Sequence, residues 1–236
     1  KTGFRYSFTL LLLLLCSGSL LAADFDRARP ERLGMSSERL ERLDSALKSY
    51  VEDERLAGQV VVVLRNGRIA YSAANGMRNV EKQLPMTEDT VFRIASQTKA
   101  IVSTGIMILH ERGALDIAHP LSRYFPEWAD TRVAVANDRG GYDVEPLDRA
   151  ITLRHLLTHT SGVSYGSGPA ADDWAAAKLS GWYFANKNEP IGASIARMAS
   201  LPIDAQPGEQ WIYGYNTDIL GGVIEKASGQ NLADFL

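Results

Sequence analysis

The segment at residues 91–112, VFRIASQTKAIVSTGIMILHER, constrains the fold more than any other part of the chain. Its apolar residues recur at spacings of three and four and it contains no proline, so the pattern predicts a largely buried helix. Ser96 stands where a serine is a favoured N-cap, which places the expected start of the helix. The rest of the chain is therefore expected to build a core around this helix.

Ser96 and Lys99 are three residues apart, so they share one face of the predicted helix. A serine hydroxyl is a weak nucleophile that needs a base, and a lysine can be that base when burial or another cation lowers its pKa. The free N–H groups at a helix start also favour the negative charge of an oxyanion. One turn can thus supply a nucleophile, a base and part of an oxyanion hole. The alternative is a capping serine beside a surface lysine.

The Ser-x-x-Lys spacing does not choose between these interpretations, because it recurs at Ser45 and Lys48. That second copy lies in a charged amphipathic pattern, which is typical of a surface helix. No apolar wall is expected there to perturb the pKa of Lys48. Ser96, on the helix predicted to be buried, has the stronger physical case as a nucleophile.

Residues 1–23 have the pattern of a secretory signal peptide. Lys1 and Arg5 precede a short run of leucines, and small residues follow at positions 22 and 23, where cleavage is expected. The run is short for a membrane span. Cleavage removes Cys16, the one cysteine in the sequence, and so leaves no disulfide or thiol chemistry. We therefore expect a bacterial periplasmic or secreted protein; lipidation of Cys16 is the alternative, although Leu15 is larger than such a site prefers.

The mature chain, residues 24–236, is expected to form one partial domain. In residues 24–90 a helical pattern precedes two β-forming runs that flank Asn66-Gly67, which is a specific signal for a β-hairpin. Residues 91–236 have mostly helical patterns. Because an isolated hairpin is only marginally stable, further strands are expected after the end of this sequence.

Polarity and charge add two expectations. Residues 128–147 are rich in aspartate and glycine, which predicts a loop. The formal net charge is −3 and no basic cluster stands out, which argues against a nucleic acid or an anionic membrane surface as partner.

Residues 162–166 match the G-x-S-x-G motif around Ser164. As a nucleophile elbow, that motif needs a preceding strand, a following helix and a histidine later in the chain. Here a helix is predicted before the motif and a loop after it, and all four histidines precede it. The alternative is a glycine-rich loop.

His155 and His159 are four residues apart, so they can share a helix face as zinc ligands do. A zinc motif of that kind needs a glutamate beside the first histidine, and Leu156 stands there instead. Contacts at a helix end are the alternative to metal binding.

Three segments, in order along the chain, match one family together: residues 92–99 (FRIASQTK), residues 151–162 (ITLRHLLTHTSG), and residues 207–213 (PGEQWIY) followed by DILG. The chain resembles the serine β-lactamase and penicillin-binding-protein superfamily, above all the class C β-lactamase-related serine hydrolases, which include the family VIII carboxylesterases. The match covers nearly the whole mature chain. It implies an α+β, β-lactamase/transpeptidase-like fold with a helical region inserted in an antiparallel sheet domain, whose C-terminal strands are missing from this sequence.

The resemblance implies that Ser96 is the nucleophile of a covalent acyl-enzyme, with Lys99 as its base and Tyr213 as the tyrosine of the second motif. A phenol beside the lysine can hold or relay the proton taken from Ser96 and pass it to the leaving group. The alternative for Tyr213 is a buried tyrosine whose hydroxyl is satisfied by the fold. No metal and no organic cofactor are implied.

The second motif departs from the family pattern. β-Lactamases and peptidases of the group have Tyr-x-Asn, whereas this chain has Tyr213-Gly214-Tyr215, with Asn216 one place late. The side chain that would bind a lactam or peptide amide is therefore absent, and Tyr215 is left as the candidate substrate contact. This departure favours an ester substrate.

The third motif of the family, often Lys-Thr-Gly or a His/Trp-Gly variant, is expected beyond residue 236. Lys1-Thr2-Gly3 has that spelling, but it precedes the signal peptide and would be removed with it, so we treat it as a coincidence. The strand that carries this motif would supply the second oxyanion N–H group and one wall of the site.

The resemblance thus implies a secreted serine hydrolase that acts on small-molecule esters. A lactam or peptide substrate, as for a β-lactamase or a D-Ala-type peptidase, is the alternative. A second alternative is an inactive fragment of such an enzyme. Neither a nucleic acid partner nor a stable membrane span after cleavage of the signal peptide is expected.

Overall fold

The computed structural model describes residues 25–181 and 188–236. The signal peptide predicted for residues 1–23 lies outside the described residues. The described chain forms two compact units that divide between Arg93 and Ile94. Each unit combines helix with antiparallel sheet, so the predicted α+β class is confirmed.

The first unit contains one α-helix and a three-stranded antiparallel sheet among its described residues. Helix α1, Ser37–Glu52, follows a 3-10 helix at Pro30–Leu33. The Ser36 side chain caps α1 by accepting a hydrogen bond from the backbone N–H of Arg39. The strands pair in the order β1 (Gly58–Arg65), β2 (Arg68–Asn79) and β3 (Leu84–Pro85).

The turn between β1 and β2 forms at the predicted Asn-Gly pair. Asn66 and Gly67 have φ angles of 51° and 68°, the left-handed values that a type I′ hairpin turn requires. At the other end of the hairpin, Gly58 lies opposite Gly76. A Cβ atom on Gly76 would lie 2.4 Å from the carbonyl oxygen of Ala57, so only glycine allows the backbones to approach this closely.

The second unit is mostly helical. Its described helices are, in chain order, α2 (Thr98–Glu111), α3 (Leu153–Leu157), α4 (Ala171–Ala176), α5 (Ile191–Met198), α6 (Asn216–Ser228) and α7 (Leu232–Phe235). Short 3-10 helices lie at Ala95–Gln97, Leu121–Arg123 and Pro126–Asp130. In the part of the chain that the structure describes, no helix has the length and apolar character to cross a membrane.

Helices α2 and α6 form the centre of this unit. They approach closely at Gly105, where a Cβ atom would lie 3.0 Å from the Ile224 side chain. Several large core side chains are 0% exposed: Ile106, Leu153, Leu156, Ile195, Met198, Ile219 and Leu220. Full burial of one such side chain contributes roughly 1.5–3 kcal/mol. This core therefore fixes the direction in which α2 presents its first turn.

Helix α2 differs from its prediction in burial. Val102, Ile106 and Leu109 face the core, whereas Ile101 and Met107 are each 44% exposed. The prediction of a largely buried helix is therefore wrong, because the apolar residues cover more than the single face that the core of this unit occupies.

The prediction of a loop at residues 128–147 is also wrong in part. Strands β4 (Arg132–Ala136) and β5 (Tyr142–Pro146) form an antiparallel hairpin there. Strand β4 is held by the backbone of Ile203, which accepts a hydrogen bond from Ala134 N–H at 2.9 Å and donates one to the carbonyl of Arg132 at 2.9 Å. These bonds come from a distant segment, so the polar local sequence does not reveal the strand.

Candidate active site

Ser96 lies in the 3-10 helix Ala95–Gln97, immediately before α2. The N-cap residue of α2 is Gln97, so the predicted capping role of Ser96 is wrong. Its side chain is exposed. The preceding Ala95 has a φ of 45°, a left-handed value that costs a residue other than glycine about 1–2 kcal/mol. Such strain is typical of functional turns, and here it sets the direction of the serine turn.

Lys99 lies in the first turn of α2 and is half-buried. Its Nζ donates a hydrogen bond to the Tyr165 hydroxyl at 3.2 Å. The same atom lies 5.1 Å from the centroid of the Tyr213 ring. The structure thus brings the predicted lysine and the predicted tyrosine together, one turn after Ser96.

The pKa of Lys99 differs from the sequence expectation. Burial lowers it, but the hydrogen bond to Tyr165 and the negative charge of Asp218 together raise it above the ordinary lysine value. The expected lowering of this pKa is therefore wrong, and the surroundings of Lys99 favour its charged form.

Asp218, in the first turn of α6, is the carboxylate that acts on Lys99. Burial raises the pKa of Asp218, and the positive charge of Lys99 offsets only part of this effect. The charge of each group therefore acts on the pKa of the other. The DILG segment contributes this residue, although the sequence alone gives it no role.

Tyr213 is held among aromatic rings. It stacks on His159 with ring centroids 4.8 Å apart, and Trp211 lies on it at 5.9 Å. The Tyr165 ring meets it edge-on at 5.7 Å. Tyr213 is nevertheless 37% exposed, so it is not the fully buried tyrosine of the alternative interpretation.

Tyr165 is a site residue that the sequence motifs do not identify. It lies between Gly162 and Gly166, in the segment that matches G-x-S-x-G. Burial raises its pKa, while the hydrogen bond from Lys99 works in the opposite direction. The motif directs attention to Ser164, whereas the residue after that serine reaches the lysine.

Ser164 is buried, and its side chain forms hydrogen bonds within its own loop. It is 1% exposed, and its Oγ accepts hydrogen bonds from the backbone N–H groups of Gly166 at 3.0 Å and Ser167 at 3.3 Å. This environment is that of a glycine-rich loop and not of an exposed nucleophile.

The structure corrects the expectation that Tyr215 contacts substrate. Tyr215 is 2% exposed, and its hydroxyl donates to the carbonyl of Gly181 at 2.7 Å. Its ring packs edge-on against Tyr165 at 4.7 Å and stacks with Trp174 at 6.3 Å. Burial raises its pKa. Tyr215 is therefore a core residue beneath Tyr165.

Asn216 is also buried, with 0% exposure, so it does not replace the amide-binding asparagine of Tyr-x-Asn. Its Nδ2 lies 3.0 Å from the carbonyl oxygen of Val163 and 3.2 Å from that of Ile212. The Ser161 hydroxyl donates to its Oδ1 at 2.5 Å. Its hydrogen bonds join the two segments that carry Tyr165 and Tyr213.

Neither histidine of the possible zinc pair is placed as a ligand. His155 Nδ1 accepts a hydrogen bond from Thr152 N–H at 3.2 Å as part of a capping box, and His159 Nδ1 lies 3.1 Å from Asn216 Nδ2. Within residues 25–181 and 188–236, no group of three or more histidine, cysteine or acidic side chains is arranged to hold a metal ion.

The chain is similar to known proteins whose names describe two activities. Esterase EstB of Burkholderia gladioli is 37% identical over 196 residues, which are 81% of this chain and 46% of that protein. The ML-236A carboxylate methylbutanoyltransferase mlcH of Penicillium citrinum is 34% identical over 202 residues, which are 82% of this chain and 47% of that protein. The chain spans about half the length of these curated relatives.

Solved structures give the same fold. A mutant of simvastatin synthase from Aspergillus terreus matches with a TM-score of 0.67 and 29% identity, over 86% of this chain and 49% of that one. EstCE1, a hydrolase with promiscuous acyltransferase activity, matches with a TM-score of 0.68 over 83% of this chain and 49% of that one; at 24% identity this likeness shows the fold alone. The sequence model of the Beta-lactamase family matches residues 43–236, and the chain belongs to that family.

Proposed function

We propose that the protein is a serine hydrolase that cleaves small carboxylic esters through an acyl-serine on Ser96. The observation that carries the proposal is the position of Lys99, whose amine lies between Tyr165 and Tyr213 one turn after the serine. A nucleophile needs a base, and Lys99 lies one turn after Ser96 at the start of α2. The esterase and acyltransferase relatives support the same chemistry.

In the proposed reaction, the Oγ of Ser96 attacks the ester carbonyl and its proton passes to the pair formed by Lys99 and Tyr213. The N-terminus of α2, next to the serine, favours the negative charge of the oxyanion. The proton then goes to the departing alcohol, which leaves an acyl-serine. Water attacks the acyl group in the second half of the reaction and Ser96 recovers its proton.

Because the raised pKa of Lys99 favours its charged form, the amine must lose a proton before it can accept that of Ser96. The reactive state is therefore a minor one at neutral pH, and its population grows as the pH rises.

An ester is favoured over a lactam or a peptide by the state of the second motif. Tyr215 and Asn216 are both buried, so neither side chain is available to bind a substrate amide. An alcohol also leaves more readily than an amine, which must be protonated as it departs. β-Lactamase or D-Ala-type peptidase activity remains the second hydrolytic hypothesis, and hydrolysis of nitrocefin or release of D-alanine would favour it.

Acyl transfer to an alcohol is a second candidate function, which the name of the Penicillium citrinum relative favours. It uses the same acyl-serine and replaces water by an acceptor hydroxyl. We further propose that the protein is exported to the periplasm or the medium, on the pattern of residues 1–23. Fractionation of cells that produce the tagged protein tests this location.

The test of the hydrolase is Ser96→Ala in the full-length protein, assayed with p-nitrophenyl butyrate and with a fluorophosphonate label. The matched control is Ser45→Ala, since Ser45 begins the other Ser-x-x-Lys and is exposed on α1. We expect Ser96→Ala to abolish turnover and labelling, and Ser45→Ala to leave both unchanged. Turnover that survives in Ser96→Ala would overturn the assignment, and an unlabelled, inactive wild type would favour the inactive-fragment alternative.

A further inference from the structure

His159 lies against the proposed catalytic tyrosine through both its ring and its backbone. The ring stacks on Tyr213 with centroids 4.8 Å apart and an angle of 23° between the planes. The His159 carbonyl accepts a hydrogen bond from the N–H of Ile212, the residue before Tyr213, at 2.7 Å. The histidine itself has a φ of 55°, so its backbone is held in a left-handed turn just after α3.

The orientation of the Asn216 amide is fixed by its other neighbours. The carbonyl oxygens of Val163 and Ile212 can only accept hydrogen bonds, so they must face Nδ2. Ser161 Oγ accepts from Val163 N–H at 3.1 Å and therefore donates its own proton to Asn216 Oδ1. Nδ2 is thus the atom that points at the histidine.

This orientation determines the tautomer of His159. Nδ2 has two hydrogens for these three neighbours, so it shares them. Because an amide NH₂ group never accepts, an N–H at His159 Nδ1, 3.1 Å away, would meet another N–H, and the imidazole proton therefore resides on Nε2. A protonated imidazole would place one N–H group against another. Burial and the positive charge of Lys99 on α2 lower the pKa of His159, while a backbone hydrogen bond at Ile212 opposes them. The neutral form and the geometry agree.

We propose that His159 is a positioning residue for Tyr213: Asn216 holds its imidazole in the neutral Nε2–H tautomer, and the ring fixes the Tyr213 phenol beside Lys99. This inference rests on the proposed function, because it concerns the tyrosine that relays the proton. His159 stacks on one face of Tyr213, and the edge contact of Tyr165 restricts it elsewhere. The tyrosine ring cannot swing away from Lys99 without breaking the stack.

Two variants separate the ring from the hydrogen bond. His159→Asn keeps an acceptor near the Nδ1 position and tolerates the left-handed backbone, but it lacks the ring. His159→Phe keeps the ring and loses the acceptor and the titration. Both variants are expected to fold, because the two Nδ2 hydrogens of Asn216 still reach Val163 and Ile212. Thermal unfolding of each variant checks this.

The experiment measures kcat, KM and the pH dependence of p-nitrophenyl butyrate hydrolysis in the full-length protein. We expect His159→Asn to lower kcat at least tenfold with KM within twofold of wild type. In wild type, log(kcat/KM) should fall more steeply below the His159 pKa, which lies under the ordinary histidine value, because a second proton is then bound. His159→Phe should lack this steepening. Wild-type kcat and an unchanged pH profile in both variants would overturn the proposal.

A readout without substrate separates this proposal from the proposed function. Nitrogen-15 NMR of the histidine-labelled protein should show, above the lowered pKa of His159, a neutral ring with its proton on Nε2. An Nδ1–H tautomer, or a charged ring, would overturn the role of Asn216 even if the enzyme is active. Failure of Ser96 to react with fluorophosphonate would instead reject the hydrolase, while the NMR result still decides the state of the His159 and Asn216 pair.

Discussion

The amine of Lys99 and the hydroxyl of Tyr165 are joined by a hydrogen bond of 3.2 Å, which ties the lysine to the loop at residues 162–166. Because Nζ donates this bond, the contact stabilises the charged amine, and with the charge of Asp218 it outweighs the effect of burial on the pKa of Lys99. The surroundings of Lys99 therefore favour its protonated form. The consequence for activity can be measured.

The first prediction concerns the pH dependence of wild type and the variant Lys99→Arg. Because the pKa of Lys99 is raised, kcat/KM should rise about tenfold per pH unit between roughly pH 7 and 9, as expected for one group that must lose a proton. Lys99→Arg stays charged at every pH, so its rate should fall about 10²–10⁴-fold, the usual contribution of a general base. Ester hydrolysis across this range measures both, with Lys48→Arg as control.

A bell-shaped profile centred near neutral pH would contradict this assignment. It would mean that the neutral base is already abundant at pH 7, in conflict with an ammonium held by Tyr165. Equal activity of Lys99→Arg and Lys48→Arg would remove Lys99 from the reaction altogether.

The second prediction is that Tyr165→Phe moves the pH profile of kcat/KM toward lower pH. The hydrogen bond that raises the pKa of Lys99 is lost, while burial still lowers it. The plateau rate should fall by about two- to tenfold, because one hydrogen bond worth roughly 0.5–1.5 kcal/mol no longer positions the amine. Kinetics from pH 6 to 10 measure the shift.

Tyr71→Phe is the matched control for that variant. Tyr71 also uses its hydroxyl in a side-chain hydrogen bond, to Asp44 at 2.9 Å, but it belongs to the first unit. Tyr71→Phe should leave the pH profile of kcat/KM unchanged. A profile of Tyr165→Phe that coincides with wild type would show that the hydrogen bond has no effect on the base.

The third prediction is that Asp218→Asn makes the protein more stable. The pKa of Asp218 is raised in the folded state, so the folded protein binds this proton more tightly than the unfolded chain does. Stability is therefore lost as the pH rises from the ordinary aspartate value through the folded pKa, and the charge is unfavourable at neutral pH. Removing the charge should stabilise by about 0.5–2 kcal/mol, as stabilising single substitutions do.

Denaturant unfolding at pH 7 measures this effect, and Asp44→Asn gives the opposite sign. The pKa of Asp44 is lowered by hydrogen bonds from Lys48 and Tyr71, so its charge is favourable and its loss should destabilise. A less stable Asp218→Asn would show that the attraction to Lys99 exceeds the cost of burial.

The sequence predicts the parts of the site that lie within one turn or one motif. The spacing of Ser96 and Lys99 follows from a single helical turn, and Tyr213 is implied by a family motif. Tyr165 and Asp218 approach the lysine only through packing of the second unit, so local patterns give no sign of their effect on its pKa. The direction of that pKa shift could therefore not be inferred from burial alone.

The displaced asparagine of the second motif has a structural role. Asn216 is the first residue of α6. Successive residues of a helix point about 100° apart, since there are 3.6 per turn. The side chains of Tyr215 and Asn216 nevertheless both lie in the core, where Asn216 joins the Tyr165 and Tyr213 segments. The motif alone indicates that the amide-binding asparagine is missing, whereas in the structure Asn216 joins two segments of the core.

The fourth prediction compares the two tyrosines of the second motif. Tyr213→Phe removes the phenol next to Lys99 and should lower kcat by about 10²-fold or more, with little change in stability, because the partly exposed ring still stacks on His159. Tyr215→Phe should cost about 1 kcal/mol of stability, since the Gly181 carbonyl loses a hydrogen bond, and should leave kcat and KM within about twofold. Thermal unfolding and ester kinetics on both variants measure these effects. The two substitutions are matched, because each deletes a tyrosine hydroxyl and the positions are two residues apart. A Tyr215→Phe variant with raised KM and unchanged stability would show that Tyr215 contacts the substrate.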